Sequence, residues 1–303
     1  MIRTCWNQYH APETVEEAVA LLSRYDGSAQ VIGGGTDLLL EIQQGHKPPV
    51  EAMIDPSQIA GLDEITGSPA HIVIGCAVTH SRIVRHPGIV QNGTCLVEGC
   101  GVIGGPQVRN VGTLAGNVAH ALPAGDGTIA LLALGGEVEI TDAAGSHWTA
   151  IENTFLGPGK STIDHHRSLI TRLRFKPTSE SEGSAFFRVM RPQGVALPMI
   201  SMACRIRIHD GKIQGSRITI GPAGPVPHLS TAAAEAIQGQ AAGDEAHAKA
   251  VTAVLGSVTF RDSKYRASRA YREHMIRAHL PRVLALATHR ALSGHAEPQG
   301  VGQ

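Results

Sequence analysis

Two glycine-rich segments about eighty residues apart constrain this chain more than any other feature. The first, VIGGGTDLLL at residues 31–40, places three consecutive glycines between an apolar extended run and an apolar helical pattern. The second, PQVRNVGTLAGNVAHALPAGD, covers residues 106–126. Glycine makes up 35 of the 303 residues, well above its usual share of roughly 7%. Because much of this excess lies in clusters, we interpret the segments as tight loops of a folded protein rather than as flexible linkers.

The first loop has the composition of a phosphate-binding turn. A strand that ends in Gly33, Gly34 and Gly35 presents bare backbone N–H groups, and a helix start behind them favours an anion. Glycine is expected there because a Cβ would hold a diphosphate away from the backbone. Thr36 adds a hydroxyl donor, whereas we predict that Asp37 caps the helix. The spacings of a Rossmann fingerprint and of a P-loop are both absent, and an ordinary tight turn remains an alternative.

The second loop is more specific. Thr113 offers a hydroxyl, Gly116 allows close approach of a ligand to the backbone, and the Asn117 amide both donates and accepts hydrogen bonds. Asp126 follows the turn at 123–125, at a predicted helix start. Its carboxylate there accepts hydrogen bonds from ligand hydroxyls, caps the helix, or does both. Together the two loops predict a site for a nucleotide diphosphate that carries a polyol.

Composition excludes several other classes of function. Lysine and arginine balance aspartate and glutamate at 26 each, which argues against nucleic acid and anionic membranes as partners. No apolar run approaches the ~18 residues of a membrane span, and no signal peptide is evident, so we expect a soluble cytoplasmic protein. The five cysteines lack C-x-x-C spacing and are expected to be reduced thiols. We predict no metal site, assign no catalytic residue, and interpret His165-His166 as a solvated turn.

Local patterns predict the organisation of the chain. Thr14 and Glu17 form a capping box ahead of a helix, and the alternation over Leu169–Phe175 indicates a strand. Asp210-Gly211 predicts a tight hairpin, and helical patterns follow, of which the last contains Pro281 as either a kink or a new start. The polar stretch at 176–183 indicates a domain boundary.

From about Pro12 to about Leu292, the sequence resembles the FAD-binding medium subunits and domains of xanthine dehydrogenase, carbon monoxide dehydrogenase and related molybdenum hydroxylases. The matching segments are the two loops, ITIGPAGPVP at 218–227 and YRASRAYREHM at 265–275. The resemblance implies an α+β protein with the FAD-binding fold of vanillyl-alcohol-oxidase-like flavoproteins. Its expected parts are a FAD-binding domain (1–176) of two α/β subdomains (about 1–57 and 58–176), a C-terminal α+β domain with an antiparallel sheet (177–293), and a disordered tail (294–303).

The resemblance also implies the residues that bind FAD. The first pyrophosphate loop would be Ile32, Gly33, Gly34, Gly35, Thr36 and Asp37. The second cluster would be Thr113, Gly116, Asn117 and Asp126. A backbone contact near the flavin ring is expected from Leu169 and Ile170, and Arg188 takes the place of a family lysine that approaches the flavin. The sequence departs from the family pattern at Ala115, Pro192 and Ile103.

The function that the resemblance implies is electron transfer. The chain would take electrons from [2Fe-2S] clusters of a partner and pass them to NAD or another acceptor. A large molybdopterin-binding subunit and a small [2Fe-2S] subunit are the expected partners, as a dimer of heterotrimers, because this chain has no motif for either group. Two alternatives are a self-contained FAD-dependent oxidase and a scaffold subunit without redox function. The substrate stays open among carbon monoxide, purines, N-heterocycles, aromatic thioesters and aldehydes.

Overall fold

Strands and helices alternate along the chain in three successive units, each built on its own sheet. The structure is a computed structural model that describes residues 6–191 and 196–300. Its strands are β1 (Trp6–His10), β2 (Ala29–Val31), β3 (Val50–Ile54), β4 (Ile65–Gly67), β5 (Ile72–Gly75), β6 (Glu137–Asp142), β7 (Gly145–Ala150), β8 (Phe155–Gly157), β9 (Lys160–Ser161), β10 (Leu169–Phe175), β11 (Glu182–Val189), β12 (Ile200–His209), β13 (Lys212–Gly221) and β14 (His228–Leu229). Its helices are α1 (Val15–Tyr25), α2 (Leu38–Gln43), α3 (His80–Arg85), α4 (Pro87–Asn92), α5 (Thr94–Gly101), α6 (Pro106–Arg109), α7 (Leu114–Ala119), α8 (Asp126–Ala133), α9 (Thr231–Ile237), α10 (Asp244–Ser257) and α11 (Arg269–Ser293).

The first unit is a parallel sheet with strand order β1-β3-β2. Helix α1 packs against it with Ala18 and Leu22 fully buried, four residues apart on one helix face. The predicted cap is confirmed, since the Thr14 hydroxyl accepts a hydrogen bond of 3.1 Å from the Glu17 backbone N–H. The first glycine loop follows the carboxyl end of β2, the edge at which ligands commonly bind to parallel sheets.

The second unit is a five-stranded sheet with strand order β4-β5-β10-β6-β7, in which every neighbouring pair is antiparallel. Helices α5 and α8 are buried along their whole length, which explains why they are mostly apolar and why their few polar side chains have partners inside the protein. They pack against each other, and the second glycine loop between them contacts the first unit at Gly34. The strand predicted at Leu169–Phe175 is confirmed as β10.

The third unit is an antiparallel sheet with strand order β11-β12-β13-β14, packed against α9, α10 and α11. The predicted hairpin is confirmed, because Asp210 and Gly211 join β12 to β13 with φ values of 49° and 70°. Helix α11 continues through Pro281 without a new start. The α+β fold class is therefore confirmed.

Several predicted features concern the ends of the described ranges. Pro192, like Cys5, lies outside the described residues. Residues 294–300 of the predicted tail are described, and the backbone N–H of Gln299 donates a hydrogen bond of 2.8 Å to Glu98.

No helix in 6–191 or 196–300 is long and apolar enough to cross a membrane. The four described cysteines are buried and unpaired.

A buried ion pair joins the second unit to the third. Glu98 of α5 and Arg290 of α11 lie 2.7 Å apart with side chains that are 1% and 3% exposed. Arg290 also donates to the backbone carbonyl of Ser184, and Glu98 accepts from the backbone N–H of Phe186. The contacts of Glu98 with Arg290 and with the Phe186 N–H cross from one unit to the other, so the docking of the units depends on them.

We predict that Arg290→Met lowers the free energy of unfolding by about 3–5 kcal/mol, because it leaves the Glu98 carboxylate buried without its cation. Urea denaturation of the purified chain measures the change. Lys249→Met is the matched control, since the Lys249–Glu245 pair is exposed to solvent and its loss is expected to change stability little. Equal losses for the two variants would contradict the structural role of the buried pair.

Candidate cofactor-binding site

A cavity of about 340 Å³ lies between the two glycine loops. Eleven of the thirteen predicted site residues line it, namely Gly33, Gly34, Gly35, Thr36, Asp37, Thr113, Gly116, Asn117, Asp126, Ile170 and Arg188. The other two do not. Ile32 packs with Ile42 and Met53, and Leu169 is buried in the main core. Residues of the lining that were not predicted include Gln30, Val31, Leu38, Lys47, His80, His120, His165 and Leu197.

The two loops touch each other through glycine. A Cβ on Gly34 would lie 2.0 Å from the carbonyl oxygen of Val111, and a Cβ on Gly33 would lie 3.0 Å from the Thr113 hydroxyl. Gly35 has a φ of +68°, which other residues rarely adopt. The glycine at 34 is therefore required by contact between the loops and not, as expected from the sequence, by the approach of a ligand.

The second loop is organised by its own polar side chains. The Thr113 hydroxyl caps α7 by accepting a hydrogen bond of 3.0 Å from the Gly116 N–H. Asn117 Oδ1 accepts hydrogen bonds from the backbone N–H and the hydroxyl of Thr128, at 3.0 and 2.9 Å. This fixes the amide carbonyl at the start of α8, and the Asn117 NH₂ is then the end of the side chain that remains for donation to a ligand.

Asp126 makes polar contacts to two residues of the third unit. Its Oδ2 lies 2.7 Å from Arg188 Nη1, and its Oδ1 accepts a hydrogen bond of 2.6 Å from the Ser201 hydroxyl. The predicted helix-capping role is wrong, because Gly125 is the N-cap residue and Asp126 begins α8. Burial raises the pKa of the Asp126 carboxyl, while Arg188 and Ser201 oppose that rise. The Asp126 carboxyl is thus a buried group held by a cation and a hydroxyl.

Charged groups surround the first loop. Asp37 stands at the N-cap position of α2, but the predicted cap is wrong because its side chain makes no capping hydrogen bond. Instead its carboxylate lies 3.6 Å from His120 Nδ1. His120 Nε2 lies 2.9 Å from Glu41 Oε1, and Lys47 Nζ lies 2.9 Å from Glu41 Oε2. His120 therefore connects α7, at the second loop, to α2, at the first.

The histidine pair at 165–166 is not the solvated turn that we predicted. His165 lines the cavity, its Nε2 is buried without a hydrogen-bond partner among the described residues, and burial lowers its pKa to about 4. His166 Nδ1 lies 2.6 Å from the carbonyl oxygen of Ala29. The turn runs beside β2, where the His165 carbonyl accepts a hydrogen bond from the Val31 N–H. No local pattern signals this long-range contact.

The residues of this cavity fit FAD. Backbone N–H groups, the hydroxyls of Thr36 and Thr113, and the Asn117 amide match a diphosphate and a polyol. Ile103 and Ile170 provide apolar wall on which a planar ring packs. The buried Nε2 of His165, which has no hydrogen-bond partner among the described residues, is a further group that a polar ligand would satisfy.

Fold and site together are those of a FAD-binding flavoprotein, and comparison with known proteins specifies which kind. Residues 4–177 match the model of the FAD binding domain in molybdopterin dehydrogenase, and residues 185–287 match the CO dehydrogenase flavoprotein C-terminal domain. The chain belongs to this family of molybdopterin dehydrogenase FAD-binding proteins.

Individual relatives align with this chain along most of its length. A putative xanthine dehydrogenase FAD-binding subunit of Escherichia coli is 27% identical over 92% of this chain and 95% of its own length. A carbon monoxide dehydrogenase medium chain of Afipia carboxidovorans is 26% identical over 93% of this chain and 97% of its own length. Among solved structures, a chain of carbon monoxide dehydrogenase from Hydrogenophaga pseudoflava superposes with a TM-score of 0.87 at 25% identity, covering 93% of this chain and 97% of that one.

We predict that Arg188→Met lowers the free energy of unfolding by about 3–5 kcal/mol at alkaline pH, where Asp126 is ionised and is then buried without its cation. Loss of the cation raises the pKa of folded Asp126 further, so the folded state keeps its proton to higher pH. The deficit is therefore largest at high pH and shrinks as pH falls toward about 4. Urea denaturation across this range measures it, with Arg188→Lys as the charge-retaining control. A deficit that does not vary with pH would contradict the coupling.

Proposed function

We propose that this chain is the FAD-binding electron-transfer subunit of a multi-subunit molybdenum-dependent dehydrogenase or hydroxylase. The observation that carries the proposal is the cavity between the two glycine loops, on a chain whose family is that of molybdopterin dehydrogenases. Flavin accepts electrons singly from iron–sulfur clusters and releases them as a pair to an acceptor such as NAD. The work of this chain is to bind and orient that group.

Within this proposal the site residues divide by chemistry. The N–H groups of Gly33–Gly35, with the Thr36 hydroxyl, hold the diphosphate from one side, and Thr113, Gly116 and Asn117 hold it from the other. Asp126 accepts hydrogen bonds from the polyol with the lone pairs that Arg188 and Ser201 leave unused. Backbone at Ile170 approaches the ring. The side chains of Ile32 and Leu169 lie outside the cavity. We propose that these two residues contribute through their backbone or by packing against the residues that line it.

Arg188 is proposed to set the charge near the reduced ring. Its guanidinium is 2.7 Å from Asp126 and 2.9 Å from Met190 Sδ, so its charge is largely compensated within the protein. A lysine-like free cation would stabilise negative charge more strongly than this pair. We infer that the Asp126–Arg188 pair acts as an oriented dipole toward the ring rather than as an isolated cation.

The names of several relatives support the proposal that this chain acts with partner subunits. Similar proteins are medium chains of carbon monoxide dehydrogenases, and another is subunit alpha of a 6-hydroxypseudooxynicotine dehydrogenase complex. We propose a large molybdopterin-binding subunit and a small [2Fe-2S] subunit as partners, assembled as a dimer of heterotrimers that passes electrons to NAD or another acceptor. The four cysteines that the structure describes are buried and unpaired, which is consistent with the cytoplasmic location that we propose. The FAD-binding domain is proposed to span 1–176 and the C-terminal domain 177–293.

We predict that the purified full chain binds one FAD and that Gly34→Ala weakens this binding at least ~10-fold, because the added Cβ displaces the Val111 carbonyl and separates the loops. Flavin absorbance and fluorescence titration measure occupancy and affinity. Gly67→Ala is the matched control, since a Cβ there meets nothing within 4 Å. A wild-type chain that does not take up FAD would overturn the proposed function.

A second prediction separates the subunit from a self-contained oxidase. The FAD-loaded chain alone is expected to turn over none of the aldehydes, purines or N-heterocycles that molybdenum hydroxylases oxidise. Reduced iron–sulfur partner subunit, mixed with the chain, is expected to bleach the flavin absorbance because it delivers electrons. Turnover of such a substrate by the chain alone would favour the oxidase. Absence of bleaching with bound FAD would favour a scaffold without redox function.

A further inference from the structure

His80 lines the same cavity, although no sequence motif pointed to it. It is the first residue of α3, it is only 2% exposed, and its backbone N–H donates a hydrogen bond of 2.9 Å to the Gly112 carbonyl. The preceding Thr79 forms a β-bridge with Thr113 of the second loop. The backbone at Thr79 and His80 is thus paired with the second glycine loop.

The imidazole of His80 is neutral and incompletely satisfied. Burial, with the nearby charge of Arg109, lowers its pKa to about 4. Its Nδ1 is buried without a hydrogen-bond partner among the described residues. An unpaired lone pair in that position costs less than a buried N–H donor without an acceptor, since orphaned donors are the rarer case in proteins. We therefore place the single ring proton on Nε2.

The edge of the ring that carries Nε2 lies where the two loops meet. The position that a Cβ on Gly112 would occupy is 3.4 Å from His80 Cδ2 and 3.7 Å from Thr36 Oγ1. Cδ2 is bonded to Nε2, so this edge of the ring borders Gly112 of the second loop, and Gly112 in turn lies beside Thr36 of the first loop. A neutral N–H there complements the backbone donors without adding a charge.

We propose that His80 is a further FAD-binding residue, whose neutral Nε2–H donates a hydrogen bond to the diphosphate at the junction of the two loops. The inference rests on the proposed binding of FAD between those loops. It assigns the residue a binding role and not a structural one, because a side chain with an unpartnered buried nitrogen contributes little to folding.

Three substitutions test the assignment in the full chain. His80→Gln places an amide N–H near the position of Nε2, His80→Asn places one near Nδ1, and His80→Leu removes both. Fluorescence titration with FAD is expected to give near wild-type affinity for the glutamine variant. Affinity is expected to fall about 10- to 100-fold for asparagine and leucine, the usual range for losing a hydrogen bond to a charged acceptor.

Thermal melting of the FAD-free chains distinguishes binding from structure. His80→Leu is expected to melt at or above the wild-type temperature, since it removes an unsatisfied polar atom. The exposed His209, changed to Gln, is the control for handling. Unchanged FAD affinity in all three variants, or loss in glutamine with retention in asparagine, would overturn the inference while wild-type binding upholds the proposed function. Failure of the wild-type chain to bind FAD would overturn both.

Discussion

The contact of Gly34 with the backbone of Val111 is the constraint on which the site depends. A Cβ at residue 34 would lie 2.0 Å from the Val111 carbonyl oxygen, so the two loops approach as closely as backbone permits. The first loop follows strand β2 in the parallel sheet of the first unit, and the second loop leads into helix α7 of the second unit. Because the two loops belong to different units, the cavity forms where these units meet and neither unit contains it alone. This explains why two short segments far apart in sequence carry most of the functional information.

The third unit contacts the same cavity through a buried charged pair. Arg188 on β11 and Ser201 on β12 hold the buried Asp126 carboxylate at 2.7 and 2.6 Å. A second buried pair, Glu98 with Arg290, joins the same units on another side. Buried pairs of this kind contribute little net stability, but they penalise any arrangement in which one charge loses its partner. The position of the C-terminal unit against the cavity is thereby specified.

Local sequence patterns predicted much of this architecture. The Thr14 cap, the β10 strand and the Asp210-Gly211 hairpin each depend on residues that are neighbours in the chain, and each was confirmed. Loops are present at both glycine-rich segments, as predicted. The structural reason for Gly34 could not be predicted, because its contact residue Val111 is distant in sequence.

The polar detail of the site was beyond such reasoning. Asp126 meets Arg188 and Ser201 across 62 and 75 residues of sequence, and no periodic pattern records that pairing. The positions of His165 and His80 in the cavity wall could not be predicted for the same reason. A histidine in a polar segment has the composition of a surface residue until tertiary contacts bury it.

The most direct test of the account is a crystal structure of the full chain with FAD bound. The account predicts that diphosphate oxygens lie within about 3.2 Å of backbone nitrogens in both residues 33–36 and residues 113–117. It also predicts that Gly34 and Val111 remain in contact when the cofactor is present. A diphosphate that contacts one loop alone, or FAD bound elsewhere on the chain, would contradict it.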